Sequence, residues 1–195
     1  MSGRYLMAGL VTEGESDELL LAPVILRQLR QLSLRGPEAF DVGEIVLSPV
    51  RTVHPGDRVE DEVRMLLGCC DVVIAHQDHR ESGKVESLAA RLGADRRRLV
   101  GIVPRWETEA WALCDPQAFQ RIPACDLSRL PRKPHETEAI ADPKAALRAV
   151  LRSRSATKVL DQLGRDIRLE RLALIPAYQS WLDGLTKVLK ELHFL

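Results

Sequence analysis

The chain has 195 residues, of which 45% are hydrophobic and 29% are charged, values that are ordinary for a globular protein. Its 28 basic and 28 acidic residues leave no net charge, which argues against a protein that coats polyanions with its whole surface. No apolar stretch approaches the ~20 residues of a membrane-spanning helix, and Met1–Arg4 does not lead into a signal peptide, so we expect a cytoplasmic protein without a membrane partner.

The first predicted unit is a strand followed by a helix. The apolar run Leu6–Val11 predicts a buried strand, and Glu13 follows it closely. Ser16 suits the N-cap of the next helix, whose apolar residues recur at helical spacing on both sides of Pro23. Glu13 is therefore predicted to lie at the carboxyl end of the first strand.

A second and a third strand follow, each with a helix after it. Glu44–Val50 is rich in β-branched and aliphatic residues and predicts the second strand. Asp71–Ala75 has a short, continuous apolar core, which is typical of a buried parallel strand, and it leads into His76 and Asp78. The third predicted strand therefore also ends beside groups that can bind ions or protons.

The fourth strand completes the predicted α/β domain, which covers residues 1–120. Leu99–Val103 predicts this strand, and a helix over residues 107–114 carries Glu109. Prolines among charged residues predict a connector or lid loop over residues 121–142. Residues 143–195 are predicted to form a C-terminal helical extension that packs on the same domain.

The alternation of strands and helices predicts an α/β fold with a four-stranded, mainly parallel, Rossmann-like sheet and flanking helices. The carboxyl ends of parallel strands meet at one edge, where open α/β folds place their ligands, so we expect Glu13, His76, Asp78 and Glu109 to converge. Carboxylates gathered in this way repel one another and commonly need a divalent cation. The alternative interpretation is that polar residues follow strands because loops are solvated.

The order of these acidic groups resembles that of Toprim domains, the fold shared by topoisomerases, bacterial primases and OLD-type nucleases. Val11–Asp17 is similar to the opening motif, in which a Glu at the end of the first strand precedes a Gly. His76-Gln77-Asp78 stands where those domains carry Asp-x-Asp. Glu109-Ala110-Trp111 and Asp115 resemble a later signature of an uncharacterised bacterial Toprim-like family, encoded in places beside ATPases and suspected of a role in phage defence.

The resemblance implies a Mg²⁺-dependent nuclease, or a related phosphodiester-processing enzyme, that acts on DNA or RNA and has an ATPase as a second partner. Glu13 would act as a metal ligand or as a general acid and base. Asp78 would bind the cation, and Glu109 would be a third acidic group, bound to the metal directly or through water. A clamped cation stabilises the negative charge that develops on phosphate oxygens during cleavage.

His76 departs from the Toprim pattern because it replaces the first Asp of Asp-x-Asp. As a metal ligand, a neutral imidazole suits Mn²⁺, Fe²⁺ or Zn²⁺ better than Mg²⁺, so His76 indicates either a softer metal or an inactive site. The alternative function is a non-catalytic subunit that keeps the Toprim scaffold and binds a partner ATPase, nucleic acid or both. A third hypothesis is a small-molecule phosphohydrolase with the same carboxylates.

Lys144, Arg148 and Arg152 predict a basic ridge on one helix, because they follow one another at i, i+4 spacing. Lys and Arg also outnumber Asp and Glu over residues 143–195. Such a ridge suits contact with the phosphates of a nucleic-acid backbone. The alternative interpretation is an ordinary solvated helix face.

Overall fold

The computed structural model of the chain describes residues 4–36, 38–51, 57–78, 83–152 and 155–195. The strands are β1 (Tyr5–Leu6), β2 (Ala8–Val11), β3 (Asp41–Val42), β4 (Val46–Leu47), β5 (Val72–His76) and β6 (Leu99–Ile102). The helices are α1 (Glu15–Ser33), α2 (Asp57–Leu67), α3 (Lys84–Arg91), α4 (Glu109–Ala112), α5 (Pro143–Val150), α6 (Thr157–Asp166), α7 (Leu169–Leu172) and α8 (Pro176–Glu191).

The main sheet has four strands in the order β4-β2-β5-β6, and all of them are parallel. This confirms the predicted α/β fold with a parallel sheet and flanking helices. The chain passes from β2 to its neighbour β4 on one side and then returns to β5 on the other side. Strands β2 and β5 therefore flank the switch point of the sheet, which is the place where ligands bind in open α/β folds.

The first apolar run forms two strands, so the prediction of one continuous strand over Leu6–Val11 is wrong at Met7. Strand β1 pairs with β3, whereas β2 pairs with β4 and β5. At the break, Met7 N donates to Asp71 Oδ2 at 2.8 Å, and Met7 O accepts from Asp71 N at 2.8 Å. A hydrophobicity pattern does not reveal such a change of partner, because both strands are equally apolar. The predicted second strand, Glu44–Val50, shortens to β4 for the same lack of a local signal.

Alternate side chains of the central strands enter two separate apolar clusters, as the two-residue period of a strand requires. Leu10 and Ile74 enter the larger cluster, which contains residues of α1 and of α4 to α8. Val11 and Val73 enter the smaller one, which is covered by α2 and α3. The sheet is thus enclosed on both faces, and its carboxyl edge is one of the places where polar side chains gather.

Residues 121–142 include two short 3-10 helices, Leu127–Arg129 and Pro134–Ala139. Ile122 and Leu130 join the larger apolar cluster, and Thr137 is wholly buried. Helix α8 packs against β6, so the C-terminal helices share one core with the sheet. Within the described ranges, no helix combines the length and the apolar character that crossing a bilayer requires.

Candidate active site at the carboxyl edge of the sheet

Ionisable side chains from both central strands meet at the switch point. Glu13 follows β2, and Asp17 lies in the first turn of α1. The partial positive charge at the start of a helix stabilises acidic side chains there. His76 is the last residue of β5, and Asp78 stands two positions later. Adjacent parallel strands bring these four groups together, as the sequence predicts for Glu13, His76 and Asp78.

His76 is buried between two carboxylates without forming a hydrogen bond to either. Its Nδ1 lies 3.8 Å from Asp17 Oδ2, and its Nε2 lies 3.6 Å from Asp78 Oδ1. Neither ring nitrogen has a hydrogen-bond partner among the described residues. Burial lowers the pKa of His76, and it outweighs the opposing influence of Asp17 and Glu13. The imidazole is therefore neutral and adds no positive charge to the surrounding acids.

Asp78 is the most perturbed acid of the site. Burial raises its pKa to about 7, and the negative charges of Asp17 and Glu13 add to the effect. Its Oδ1 is buried and has no hydrogen-bond partner within the described ranges. A carboxylate in this position gains little from the protein when it ionises, so a cation from outside would stabilise it.

Glu109 enters the same region from α4, the helix that follows β6. The residue is only 3% exposed, and its Oε2 has no hydrogen-bond partner in the part of the chain that the structure describes. Burial raises the pKa of Glu109, against the influence of Lys144. The neighbouring Thr108 donates a 2.5 Å hydrogen bond from Oγ1 to Asp17 Oδ1, which ties this segment to α1.

Two lysines border the acids. Lys84 Nζ, at the start of α3, lies 3.3 Å from Glu13 Oε1. Lys144 Nζ donates a 3.1 Å hydrogen bond to Glu107 Oε1. Burial alone would lower the pKa of Lys144, but Glu109 and Glu107 outweigh it and raise the pKa. Lys144 is therefore charged and offers positive charge to the acids beside it.

The predicted basic ridge does not exist as one helix face. Helix α5 ends at Val150, and Arg152 lies beyond it with a φ of 49°, so the i, i+4 series is interrupted. Lys144 turns toward Glu107, while Arg148 is exposed and Arg152 lies 4.0 Å from Asp126 Oδ2. The i, i+4 prediction was wrong because it assumed a longer helix. Nucleic-acid contact by these residues stays a prediction.

The carboxylates of the site are suitable ligands for a divalent cation in their chemistry but not in their spacing. The unpaired carboxylate oxygens of Asp78 and Glu109, together with Glu13, are the oxygen ligands that Mg²⁺ or Mn²⁺ prefers. Yet among the described residues no group of three His, Cys, Asp or Glu side chains lies close enough to hold a metal ion. The site thus offers suitable ligands, but these ligands do not enclose an ion as they stand.

Sequence reasoning missed three members of this site. Asp17 had the strongest signal, because it lies one helical turn after Glu13 at the same edge of the sheet. Glu107 and Thr108 directly precede Glu109. Three consecutive polar residues therefore follow the strand, and the sequence gives no reason to select one of them over the others. Lys144 was assigned to a nucleic-acid surface, whereas its ammonium group contacts the acidic site.

Comparisons of this chain with protein-family models, with curated proteins and with solved structures found no match.

Proposed function

We propose that the carboxyl edge of the sheet is a divalent-cation-dependent site that cleaves or transfers phosphodiesters of nucleic acid in the cytoplasm, as the Toprim resemblance implies. One observation carries the proposal. At the switch point, the partly buried Asp78 and the buried Glu109 each retain a buried oxygen without a hydrogen-bond partner among the described residues. Both pKa values are raised, chiefly because burial disfavours the charged carboxylate, so a bound cation would stabilise the ionised form.

The side chains divide into distinct roles under this proposal. Asp78 and Glu109 would hold the cation, which when bound supplies charge to the phosphate oxygens. Glu13, held by Lys84 at 3.3 Å, would accept the proton of the attacking oxygen or donate one to the leaving oxygen. Neutral His76 would keep Asp17 and Asp78 apart from each other. Lys144 would face the phosphate from the side of Glu107.

A cleavage assay with matched variants tests the proposal. The purified protein is incubated with labelled single- and double-stranded DNA and RNA, with Mg²⁺ or Mn²⁺ and with EDTA. We expect cation-dependent cleavage that falls by at least about 100-fold in Asp78→Asn, Glu13→Gln and Glu109→Gln, because each removes charge from the reacting region. Glu170→Gln, a change at an exposed residue outside the site, is the matched control and keeps full activity.

Cleavage that persists undiminished in Asp78→Asn and Glu13→Gln would show that this edge is not the catalytic site. Activity on mononucleotides alone would favour the small-molecule phosphohydrolase instead.

The second candidate function is a non-catalytic subunit that binds an ATPase or nucleic acid. The observation that favours it is the distance between the acidic side chains: within the described ranges, no three of the His, Cys, Asp and Glu side chains lie close enough to hold a metal ion. Thermal unfolding under increasing Mg²⁺ at constant ionic strength separates the two functions. A catalytic site is stabilised by the cation, whereas a scaffold subunit responds only to ionic strength. If His76→Asp raises Mg²⁺ affinity without any cleavage, the subunit function is supported.

A further inference from the structure

A groove of about 500 Å³ runs along β6, at the outer edge of the main sheet. Residues of β6, of α3 and of α8 line it, and so do Arg96 and Arg97 in the 3-10 turn that precedes β6. Its cations stand by the amino end of β6, whereas the acidic site lies beyond the carboxyl ends of β2 and β5. The groove therefore belongs to no feature of the proposed catalytic site.

The backbone of β6 offers unused hydrogen-bonding groups to this groove. Ile102 O accepts from Gln77 N at 3.1 Å, so the carbonyl of Ile102 faces the β5 side. Successive carbonyls of a strand alternate in direction, so the N–H and C=O of Gly101 face outward. No strand pairs with β6 on that side within the described chain. An exposed edge of this kind is a template for an added strand.

Three of the four charged side chains that line the groove are positive, and the fourth is Glu191. Arg96 and Arg97 are exposed, and neither forms an ion pair with a described residue. Lys187 on α8 is 78% exposed and has only a 4.0 Å contact with Glu191, at the limit of an ion pair. Trp181 forms an apolar part of the wall, and its indole N–H has no acceptor among the described residues.

We infer that the groove binds an acidic, extended segment of a partner protein, which adds to β6 as a fifth strand. Backbone pairing with Gly101 would fix the segment, and its carboxylates would meet Arg96, Arg97 and Lys187. A second copy of this chain is a poor occupant, because its own β6 has no acidic side chain to meet these cations. A segment rich in Asp and Glu supplies the missing carboxylates.

The binding test uses a fluorescein-labelled peptide of alternating valine and glutamate, with a valine–lysine peptide of equal length as its counterpart. Fluorescence anisotropy measures affinity for the full-length protein and for R96E/R97E and K187E. We expect saturable binding of the glutamate peptide only. Each charge reversal weakens it by about tenfold or more, because opposite charges along the groove become like charges. R132E/K133E is the control: it reverses the charges of two consecutive exposed residues outside the groove, and we expect it to retain the affinity of the parent protein.

A second measurement separates strand addition from loose electrostatic contact. In the ¹⁵N–¹H spectrum of the protein, the amide of Gly101 should slow its hydrogen exchange when the glutamate peptide is bound. Unchanged exchange at Gly101 would overturn the added strand. Absence of peptide binding would also overturn the proposal. So would DNA that displaces the peptide from the parent protein through Arg96 and Arg97. A dimer that is detected by sedimentation and that R96E/R97E dissociates would overturn it as well.

Discussion

Asp78 shows how one partly buried residue connects the stability of this protein to pH. Its carboxyl group lies beside Asp17, Glu13 and an imidazole that burial keeps neutral. Ionisation of Asp78 in the folded chain is therefore unfavourable, and the folded state holds a proton that the unfolded state releases. The free energy of unfolding must then fall as the pH rises from about 4, the ordinary aspartate value, toward the folded pKa of about 7.

Asp78→Asn removes this cost while it keeps the shape of the side chain. In EDTA, we expect the variant to be more stable than the parent above about pH 7, on the order of 1 kcal/mol after allowance for solvent screening. The difference should vanish below about pH 4, where Asp78 is protonated in both states. Urea unfolding across this pH range measures it, with Asp183→Asn as the exposed control. A variant that is less stable than the parent at high pH would refute the assignment.

At the scale of elements, α1 and α6 pack so closely that one glycine determines their separation. A Cβ added at Gly164 in α6 would lie 2.5 Å from Leu20 O and 2.6 Å from Pro23 Cγ in α1. Both atoms belong to rigid groups, so the helices would have to separate. Proline is unfavourable inside a helix, yet α1 continues through Pro23. The ring of Pro23 lies against Gly164, so the proline takes part in this close packing.

Gly164→Ala should destabilise the protein by about 2 kcal/mol, because overpacking in a core costs 1–3 kcal/mol. Gly184→Ala in α8 is the matched control, since its added Cβ would lie at an ordinary 3.7 Å from Val100 Cγ1. That change should be neutral or stabilising by up to about 1 kcal/mol, as expected from helix propensity. Guanidinium unfolding compares the two, and equal effects would contradict the packing argument.

The sequence predicted the identity and order of the main elements because their apolar periodicity is strong. The strands β5 and β6 lie within a residue of their predicted bounds. The break at Met7 and the early end of α5 could not be predicted in this way. Both depend on partners distant in sequence: Asp71 at the break, and Asp126, whose N–H bonds to Val150 O at 2.8 Å where α5 ends.

At the scale of the whole molecule, an ion pair between the buried Asp115 and the partly exposed Arg168 joins the segment after α4 to the C-terminal helices. Asp115 is fully buried, and both of its oxygens accept hydrogen bonds from Arg168, at 2.8 and 2.9 Å to the side chain. Burial would raise the pKa of Asp115, but the bonds from Arg168 and from Gln117 N lower it. Asp115, the last acidic residue of the signature that resembles the Toprim-like family, thus contacts Arg168 at the start of α7.

Asp115→Ala should cost about 2 kcal/mol, because it removes the acceptor of four hydrogen bonds, two of them from the backbone N–H groups of Gln117 and Arg168. The exposed pair Asp161 and Arg165 in α6 provides the control, and Asp161→Ala should cost under about 1 kcal/mol. Thermal and urea unfolding measure both variants. Similar losses for the two would show that the pair of Asp115 with Arg168 contributes no more than a surface pair.

The candidate site could be predicted in part, for a reason that concerns the whole sheet. Parallel strands bring their carboxyl ends to one edge whatever their detailed packing, so Glu13, His76 and Asp78 were expected together and are found together. Lys144 arrives from a helix that no strand rule positions, and Asp17 and Thr108 meet across 91 positions of sequence. Contacts of this kind arise from tertiary packing, which a local pattern does not contain.

Helix α8 is synthesised after every strand of the sheet, yet its rings complete the larger apolar cluster. Tyr178 and Trp181 stack edge-to-face, and Tyr178 packs against Trp111 of α4 in the same way. Until α8 has left the ribosome, part of the apolar face of those strands remains exposed to solvent. The timing of translation therefore bears on yield: a pause before α8 prolongs the interval in which the nascent polypeptide is vulnerable to aggregation or to capture by chaperones.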